Sequence, residues 1–355
     1  MLFFCACFYY KGARHFLEAT KEKFDLIVFG TLDSQTLLSG VANLRLENYV
    51  YTVESLTKAR DLLKEGGMVA LYYSVFKPWL YGRIYTTIRA AFGDQSKILF
   101  SEDPFLFNTL IIAAKDIPTL KDSNENVTRF GNDIPSVDNW PFLYIERPTI
   151  APIYQKLFIF LVLLILLSFF ILKRTHASSS LHLNFLFMGV GFTLMESAAI
   201  VRLALLFGST WVVNVIVFSA VLIMIFLANL LVLKDRAPSK FFSWVLLFAA
   251  ILLNYLFPVS SLASFDPILR VLFSGLLIGL PVFAAAITFS YLFKTQLSTG
   301  FALGMNLIGA MAGGMVEYVS MAIGMRGVWL VVFGIYLLAY VATMVKVSDS
   351  DPSIA

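Results

Sequence analysis

The stretch KFDLIVFGTLDSQ, residues 23–35, decides the fold class of the first part of the chain. Its short apolar run, residues 26–29, is typical of a strand that is buried on both faces. A turn and an aspartate, Asp33, follow this run directly. In open α/β sheets, ligands bind just beyond the carboxyl ends of the strands. The stretch therefore predicts a strand that brings an acid to a site.

Helical and strand patterns alternate after this first strand. Thr52 is a suitable N-cap for the first helix, and Gly66 can adopt the left-handed conformation that ends it. This alternation predicts a parallel, doubly wound sheet. The last two strands are too close in sequence for a crossover helix, so we expect them to pair antiparallel. The predicted elements are a helix over 52–66, a strand over 68–75, a helix over 79–92 that ends at Gly93, and strands over 97–100 and 107–114.

The composition changes near residue 150, where scattered charges give way to long apolar runs. The 355 residues are 59% hydrophobic and 14% charged, and the mean hydropathy is +0.79. Such a chain is far too apolar for a soluble protein, so we expect a second half that lies in the lipid bilayer. The net charge of +4, with no basic run between aromatic residues, gives no reason to expect nucleic acid as a partner.

Residues 1–10, MLFFCACFYY, are too short to span a bilayer and lack the basic start of a signal peptide. We interpret them as a buried strand. Cys5 and Cys7 are too close in sequence to bridge, and we expect inert buried thiols. The three histidines show no metal-ligand spacing with acids or cysteines, so no metal site is predicted.

The second half has about seven apolar runs of the length that a transmembrane helix needs. Tryptophans and tyrosines lie near several of their ends, as is typical of membrane interfaces. We divide the chain into an α/β region, residues 1–118, a polar linker with the WPFLY segment, 119–150, a membrane domain, 151–347, and a polar tail, 348–355. The predicted spans are 153–172, 181–207, 210–233, 241–257, 268–293, 301–324 and 328–345.

Two ionisable residues, Glu196 and Arg202, interrupt the second predicted span. Each costs about 2.5–3.5 kcal/mol on membrane-insertion scales, so such residues usually face the bundle interior and pair there. The two residues are about 120° apart around a helix, which makes a close pair within one helix unfavourable. We therefore expect them to pair across helices.

The sixth predicted span carries a stripe of polar and small residues on one face: Asn306, Ala310, Gly313 and Glu317. The stripe should pack inward, and two interpretations remain open. It forms a polar pathway or substrate site, or it is a structural clamp between helices. G-x-x-x-G pairs, which allow close helix contacts and favour packing within one chain, occur at 275–279, 300–304 and 309–313.

Several segments resemble a known family. ARHFL, FDLIV, LDSQ, LRLENYVYTVES and LLKEGGMVALYY resemble the second half of a class I S-adenosylmethionine-dependent domain. More narrowly, the chain resembles the membrane-bound spermidine synthase-like family of polyamine aminopropyltransferases. DNWPFLYIERP and ESAAIVRLALLFGSTWVVN resemble later segments of the same family, so the resemblance covers nearly the whole chain.

The resemblance implies a Rossmann-like, seven-stranded methyltransferase sheet, of which this chain keeps the C-terminal half, followed by the membrane bundle. The early strands, with the Gly-rich turn and the acid that hold the cofactor, would lie before Met1. We therefore expect an N-terminally truncated chain, or another chain that completes the sheet. The implied cofactor of an intact relative is S-adenosylmethionine or its decarboxylated form. Because Lys11 and Gly12 replace the family's acidic pair beside the adenine, we expect neither cofactor to bind this chain alone.

The resemblance also implies the roles of the site residues. Asp33 is the candidate catalytic base, because an attacking amine must lose a proton that a neighbouring carboxylate can accept. Ser34, Gln35, Tyr49 and Tyr51 are the candidate substrate-binding residues. Two alternatives remain open: Asp33 is a turn or helix-cap residue, and the tyrosines serve packing alone.

We therefore expect a multi-pass protein of the cell (inner) membrane that resembles a transferase of aminopropyl or methyl groups to a polyamine or another small amine. The α/β half is expected in the cytoplasm, where the cofactor is made, although the basic residues between spans favour the opposite side. The alternative is a membrane transporter or scaffold with a degenerate, non-catalytic α/β half.

Overall fold

The computed structural model describes residues 13–30, 49–74, 77–93, 97–103, 108–114, 134–150, 152–175, 182–208, 211–296 and 298–349. The chain divides into two compact units. The α/β unit comprises Met1–Pro148 with Ala204–Thr210, and the helical unit comprises Thr149–Leu203 with Trp211–Ala355. Within the α/β unit, the His15 Nδ1 atom lies 2.8 Å from the Leu206 carbonyl oxygen.

The described part of the α/β unit has the order of strands and helices that the sequence predicts, after one short helix. A 3-10 turn, Tyr49–Tyr51, precedes the second helix. The elements are α1 (Ala13–Ala19), β1 (Phe24–Gly30), α2 (Val53–Asp61), β2 (Leu63–Ser74), α3 (Pro78–Phe92), β3 (Lys97–Asp103) and β4 (Asn108–Ala114).

The four strands form one sheet in the order β1-β2-β4-β3. β1 pairs parallel with β2, and Phe29 lies opposite Leu71. β4 is antiparallel to both of its neighbours, with Ile111 opposite Leu71 on one side and Phe100 on the other. The predicted antiparallel pairing of the last two strands is confirmed. The described sheet is therefore mixed: β1, β2 and β3 share one direction, and β4, which follows β3 too closely for a crossover, is inserted antiparallel between β2 and β3.

Among the described strands β1 lies at one edge, and the expectation that it is buried on both faces is wrong. The Phe29 side chain is 2% exposed, whereas Leu26 is 47% and Val28 60% exposed. Side chains alternate between the two faces of a strand. Only one face of β1 therefore packs against the hydrophobic core.

The glycine pair after α2 serves the sheet and does not end the helix as expected. α2 ends at Asp61, and Gly66, with φ 71°, lies within β2. The pairing register of β1 with β2 shifts between Phe24 and Leu26. A Cβ atom on Gly67 would lie 3.0 Å from the Phe24 carbonyl oxygen, so the irregular pairing needs glycine there.

The described part of the helical unit contains seven helices. The seven are α4 (Pro152–Thr175), α5 (Leu183–Phe207, to Leu203 in this unit), α6 (Trp211–Leu233), α7 (Lys240–Leu256), α8 (Pro267–Lys294), α9 (Thr299–Val316) and α10 (Ser320–Asp349). Within this unit α8 packs against α6 and α7, α10 packs against α7, and α9 packs against α4.

Five stretches of the described chain are long and apolar enough to cross a membrane, whereas the sequence predicts about seven spans. α7, with 17 residues, is shorter than the other stretches. The last two predicted spans fall in one stretch, Thr299–Met344. This stretch is interrupted at Gly324, where φ is 79° and the helical conformation is broken.

Candidate functional site

The predicted catalytic and substrate-binding residues fall in two groups. Asp33, Ser34 and Gln35 lie outside the described residues. Tyr49 and Tyr51 belong to the 3-10 turn before α2, and their side chains are 2% and 3% exposed. The structure therefore places both tyrosines in the interior of the α/β unit.

Three polar residues that are distant in sequence meet inside the α/β unit, and we call them the Arg14 cluster: Arg14, Thr52 and Asp138. The Arg14 guanidinium donates to Asp138 Oδ2 at 3.0 Å, and the Thr52 hydroxyl donates to Asp138 Oδ1 at 2.6 Å. Glu18 lies 3.1 Å from the same guanidinium. Thr52 also caps α2, as predicted, by accepting from the Ser55 amide at 3.4 Å.

The Arg14 cluster joins three of the segments on which the family resemblance rests. Arg14 belongs to ARHFL, Thr52 to LRLENYVYTVES and Asp138 to DNWPFLY. Burial raises the pKa of Asp138 to about 6, against the opposing effect of the Arg14 charge. The cluster is nearly enclosed by protein, so we interpret it as a structural junction.

Arg83 fixes the WPFLY segment to α3. Its guanidinium donates to the carbonyl oxygens of Phe142 and Leu143, each at 3.2 Å, and also to that of Ile145. It lies 4.8 Å from the centre of the Trp140 ring. Burial lowers the pKa of Arg83 to about 10.

Sequence reasoning missed Arg83. The available signal was its position on α3 between Leu80 and Ile84, on the face that packs against the core. A charged residue on an apolar helix face requires buried partners.

Arg202 has carbonyl oxygens as partners and does not pair with Glu196. Its guanidinium donates to Asn254 and Phe257 at the end of α7 and lies 5.8 Å from the centre of the Trp329 ring. The last carbonyl groups of a helix lack partners within the helix. Arg202 thus connects α5 to α7, whereas Glu196 is half-buried on α5.

The predicted stripe of small and polar residues brings α9 against α5. The Asn306 amide donates to the Phe185 carbonyl oxygen at 3.1 Å. A Cβ atom on Gly309 would overlap the Leu186 carbonyl oxygen, and one on Gly313 would lie 2.7 Å from that of Val190. Residues 306–313 therefore have the geometry of a clamp between helices.

Glu317 stands apart from this clamp. It is half-buried in the 3-10 turn Glu317–Val319, which follows α9. The structure thus brings Asn306 and Gly313 to the contact with α5 and leaves Glu317 beyond it.

A cavity of about 730 Å³ lies between five helices of the helical unit. Its walls are mainly apolar and come from α5, α6, α8, α9 and α10. At one end the Ser290 hydroxyl donates to Asn229 Oδ1 at 2.6 Å. The polar side chains that line the cavity are Asn229, Ser290, Lys294, Asn306 and Tyr336.

In the part of the chain that the structure describes, no three His, Cys, Asp or Glu side chains are grouped as metal ligands would be. No protein-family model, no curated protein and no solved structure matches the chain. The observations define a class: a protein with a small mixed α/β sheet and a bundle of apolar helices, consistent with a membrane protein.

Proposed function

We propose that the protein is a spermidine synthase-like integral membrane protein, whose α/β unit forms the acceptor side of a Rossmann-like transferase. It acts on a sulfonium cofactor, S-adenosylmethionine or its decarboxylated form, and passes a methyl or aminopropyl group to a small amine. The strand order supports this proposal. β1, β2 and β3 share one direction, as in the mostly parallel sheets of Rossmann-like folds, and β4 is inserted antiparallel between β2 and β3.

The edge position of β1 is the observation on which the proposal depends. Leu26 and Val28 expose apolar side chains, and among the described strands none pairs with the outer edge of β1, which favours the addition of further strands. Strands added beside β1 would cover these side chains and supply the Gly-rich turn for the cofactor. We propose that they come from another chain in the working enzyme.

Asp33 is the proposed base in this reaction. The neutral amine of the acceptor attacks the carbon next to the sulfonium sulfur. A carbon–nitrogen bond forms and the carbon–sulfur bond breaks. The electron pair of the broken bond stays on the sulfur, which becomes a neutral thioether. The proton lost by the nitrogen passes to the Asp33 carboxylate, which also holds the cationic amine before reaction. Ser34 and Gln35 follow Asp33 directly and would contact the acceptor.

The chain alone is not expected to hold the cofactor, since the closest contacts in this class of site come from a Gly-rich turn. A calorimetric titration of the purified chain with S-adenosylmethionine measures this directly. A dissociation constant below about 10 μM, or about −7 kcal/mol, would contradict the expectation.

The proposed location is the cell (inner) membrane, with seven spans and with the α/β unit in the cytoplasm. The break at Gly324 supports seven, because it divides the stretch Thr299–Met344 into two segments that are each long enough to cross a bilayer. α7 would be the remaining short span. The cytoplasmic side follows from the source of the cofactor.

The decisive test replaces Asp33 by Asn and follows transfer from decarboxylated S-adenosylmethionine to putrescine in membranes that contain the protein at its native level. We expect turnover to fall at least about 100-fold, the usual scale for a positioned base. The control is Asp25→Asn, because the Asp25 carboxylate is 82% exposed on the surface. Equal turnover of both variants would show that Asp33 is a turn or cap residue.

A transporter or scaffold is the second candidate, and the cavity of the helical unit favours it. For a transporter, Asp33→Asn would leave uptake into vesicles unchanged, whereas a bulky residue inside the cavity would reduce it. This result would separate the two candidates.

A further inference from the structure

The cavity of the helical unit has the size and lining of a small-molecule site. Its volume of about 730 Å³ lies within the range of about 300–1,000 Å³ that is usual for such sites. Apolar and aromatic side chains such as Phe192 and Phe289 form its walls. Most of the surface of a bound ligand would therefore be apolar.

One end of the cavity is polar and carries a cation. Lys294 is the last residue of α8, and its ammonium group lies 3.1 Å from the Asp235 carboxylate, which is 81% exposed. One helical turn further in, the Ser290 hydroxyl donates to Asn229. We call this end the mouth. It offers a positive charge and hydrogen-bonding groups to a polar head.

The cavity lining includes Tyr336, whose hydroxyl is available for a hydrogen bond with a ligand. Tyr336 is 1% exposed, and its hydroxyl makes no hydrogen bond with any residue that the structure describes. A Cβ atom on Gly191 would lie 2.6 Å from the Tyr336 ring, so the ring is closely held. Because Tyr336 lines the cavity, an oxygen of a ligand there can accept a hydrogen bond from its hydroxyl.

Asn306 offers a second group on the same wall as the helix clamp. Its amide nitrogen is engaged by Phe185, whereas its side-chain oxygen accepts no hydrogen bond from the described residues. Tyr336 can donate and the Asn306 oxygen can accept, so the lining suits a ligand group that both donates and accepts. A hydroxyl group has this property.

The charge of the lining excludes a polyamine. Among the described residues that line the cavity, Lys294 is the charged one and none is a carboxylate, and the Asp235 carboxylate beside the mouth is already paired with Lys294. A polyamine carries several cationic groups, which need acidic partners when they leave water. An anionic head group also needs a partner of opposite charge, and Lys294 provides it.

We propose that this cavity binds an elongated amphiphile of the class of oxygenated long-chain fatty acids. The carboxylate lies at Lys294, the chain follows the apolar walls, and an oxygen on the chain bonds to Tyr336. Ala285 also lines the cavity and is nine residues from Lys294 on α8, which corresponds to about 13 Å along the helix. The site is independent of the proposed transferase activity.

Equilibrium binding of two radiolabelled probes to the full chain in lipid nanodiscs tests the proposal. The probes, ω-hydroxydodecanoate and dodecanoate, differ only in the terminal hydroxyl. We expect saturable binding of both and tighter binding of the hydroxylated acid. Tyr336→Phe, which removes one oxygen, should weaken binding of ω-hydroxydodecanoate about tenfold and leave that of dodecanoate unchanged.

Two further variants test the mouth and the walls. Lys294→Gln should weaken both probes severalfold, whereas the control Lys240→Gln, at the exposed start of α7, should not. Ala286→Trp should abolish binding of both probes by filling the cavity. If the Ala286→Trp protein is unfolded, its size-exclusion elution profile will show this. The comparison of the two probes with Tyr336→Phe then decides whether the cavity is the binding site. No saturable binding of either probe, equal effects of Tyr336→Phe on both, or equal competition by spermidine would overturn the proposal.

Discussion

The two units differ in the space beside their buried polar groups. In the α/β unit, Asp138 and Arg83 have several hydrogen-bond partners, and the cavity under Tyr51 and Leu143 measures about 10 Å³. In the helical unit, Tyr336 has a hydroxyl without a described partner beside a cavity of about 730 Å³. Closed polar networks hold a structure in one state, whereas a polar group left open beside a cavity provides a place for a ligand. We therefore assign a role in stability to the polar groups of the α/β unit and a role in ligand binding to Tyr336 of the helical unit.

The largest effect on stability is expected at Arg83, where a substitution tests the assigned role in stability most directly. Arg83→Met removes the bonds that hold the WPFLY segment and leaves several carbonyl groups without a partner. We expect a loss of about 3–5 kcal/mol in the free energy of unfolding of the α/β unit. Lys64→Met is the control, because the Lys64–Asp25 ion pair is exposed and contributes at most about 1 kcal/mol. Thermal unfolding in detergent measures both, and equal stability of the two variants would contradict the assignment.

The pH dependence of stability sharpens the same comparison. Burial raises the pKa of Asp138 from 3.8 to about 6, so the folded state binds this proton more tightly than the unfolded state. The contribution of Asp138 is therefore largest below pH 4 and is lost as the pH rises through about 6. Integrated over that interval the loss is about 3 kcal/mol.

Asp138→Asn should remove this dependence. The difference in unfolding midpoint between the variant and the natural protein isolates it, since all other carboxyl groups are shared. Relative to the variant, the natural protein should lose stability from pH 4 to pH 7. A constant difference across this range would show that the Arg14 charge cancels the effect of burial.

The smallest of the three effects is expected in the clamp between α5 and α9. Gly309→Ala places a Cβ atom against the Leu186 carbonyl oxygen, and overpacking of this kind costs about 1–3 kcal/mol. Gly314→Ala is the matched control on the same helix, because a Cβ atom there meets nothing within 4 Å. Chemical unfolding of both variants in mixed micelles should separate them. Equal stability of the two variants would contradict the clamp and favour the polar pathway.

Local pattern predicted much of the α/β unit. The cap at Thr52, the end of α3 at Gly93 and the hairpin of β3 with β4 depend on neighbouring residues, so the sequence contains the information. The exposure of Leu26 and Val28 was not predictable, because the same apolar run fits a central strand and an edge strand. Which of the two it becomes depends on strands that are distant in sequence.

The sequence allowed even less prediction of the contacts that the polar residues make. Glu196, Arg202 and Asn306 were recognised because charged and amide groups are rare in apolar spans. Their partners were not, since the carbonyl groups that Arg202 and Asn306 use are present in every residue and leave no mark in the sequence. Tyr336 was missed because one tyrosine in an apolar helix also fits an interfacial position.

The composition of the α/β unit has a consequence for its synthesis. Residues Ala204–Thr210 belong to this unit, although they follow Pro148 by more than fifty residues of the helical unit. At about 5–20 residues per second, the ribosome needs about 3–12 s to reach Leu206 after it has made residue 148. During that interval the nascent α/β unit lacks its contact at His15. We expect general chaperones to bind the nascent chain in this window and to leave once α5 is complete.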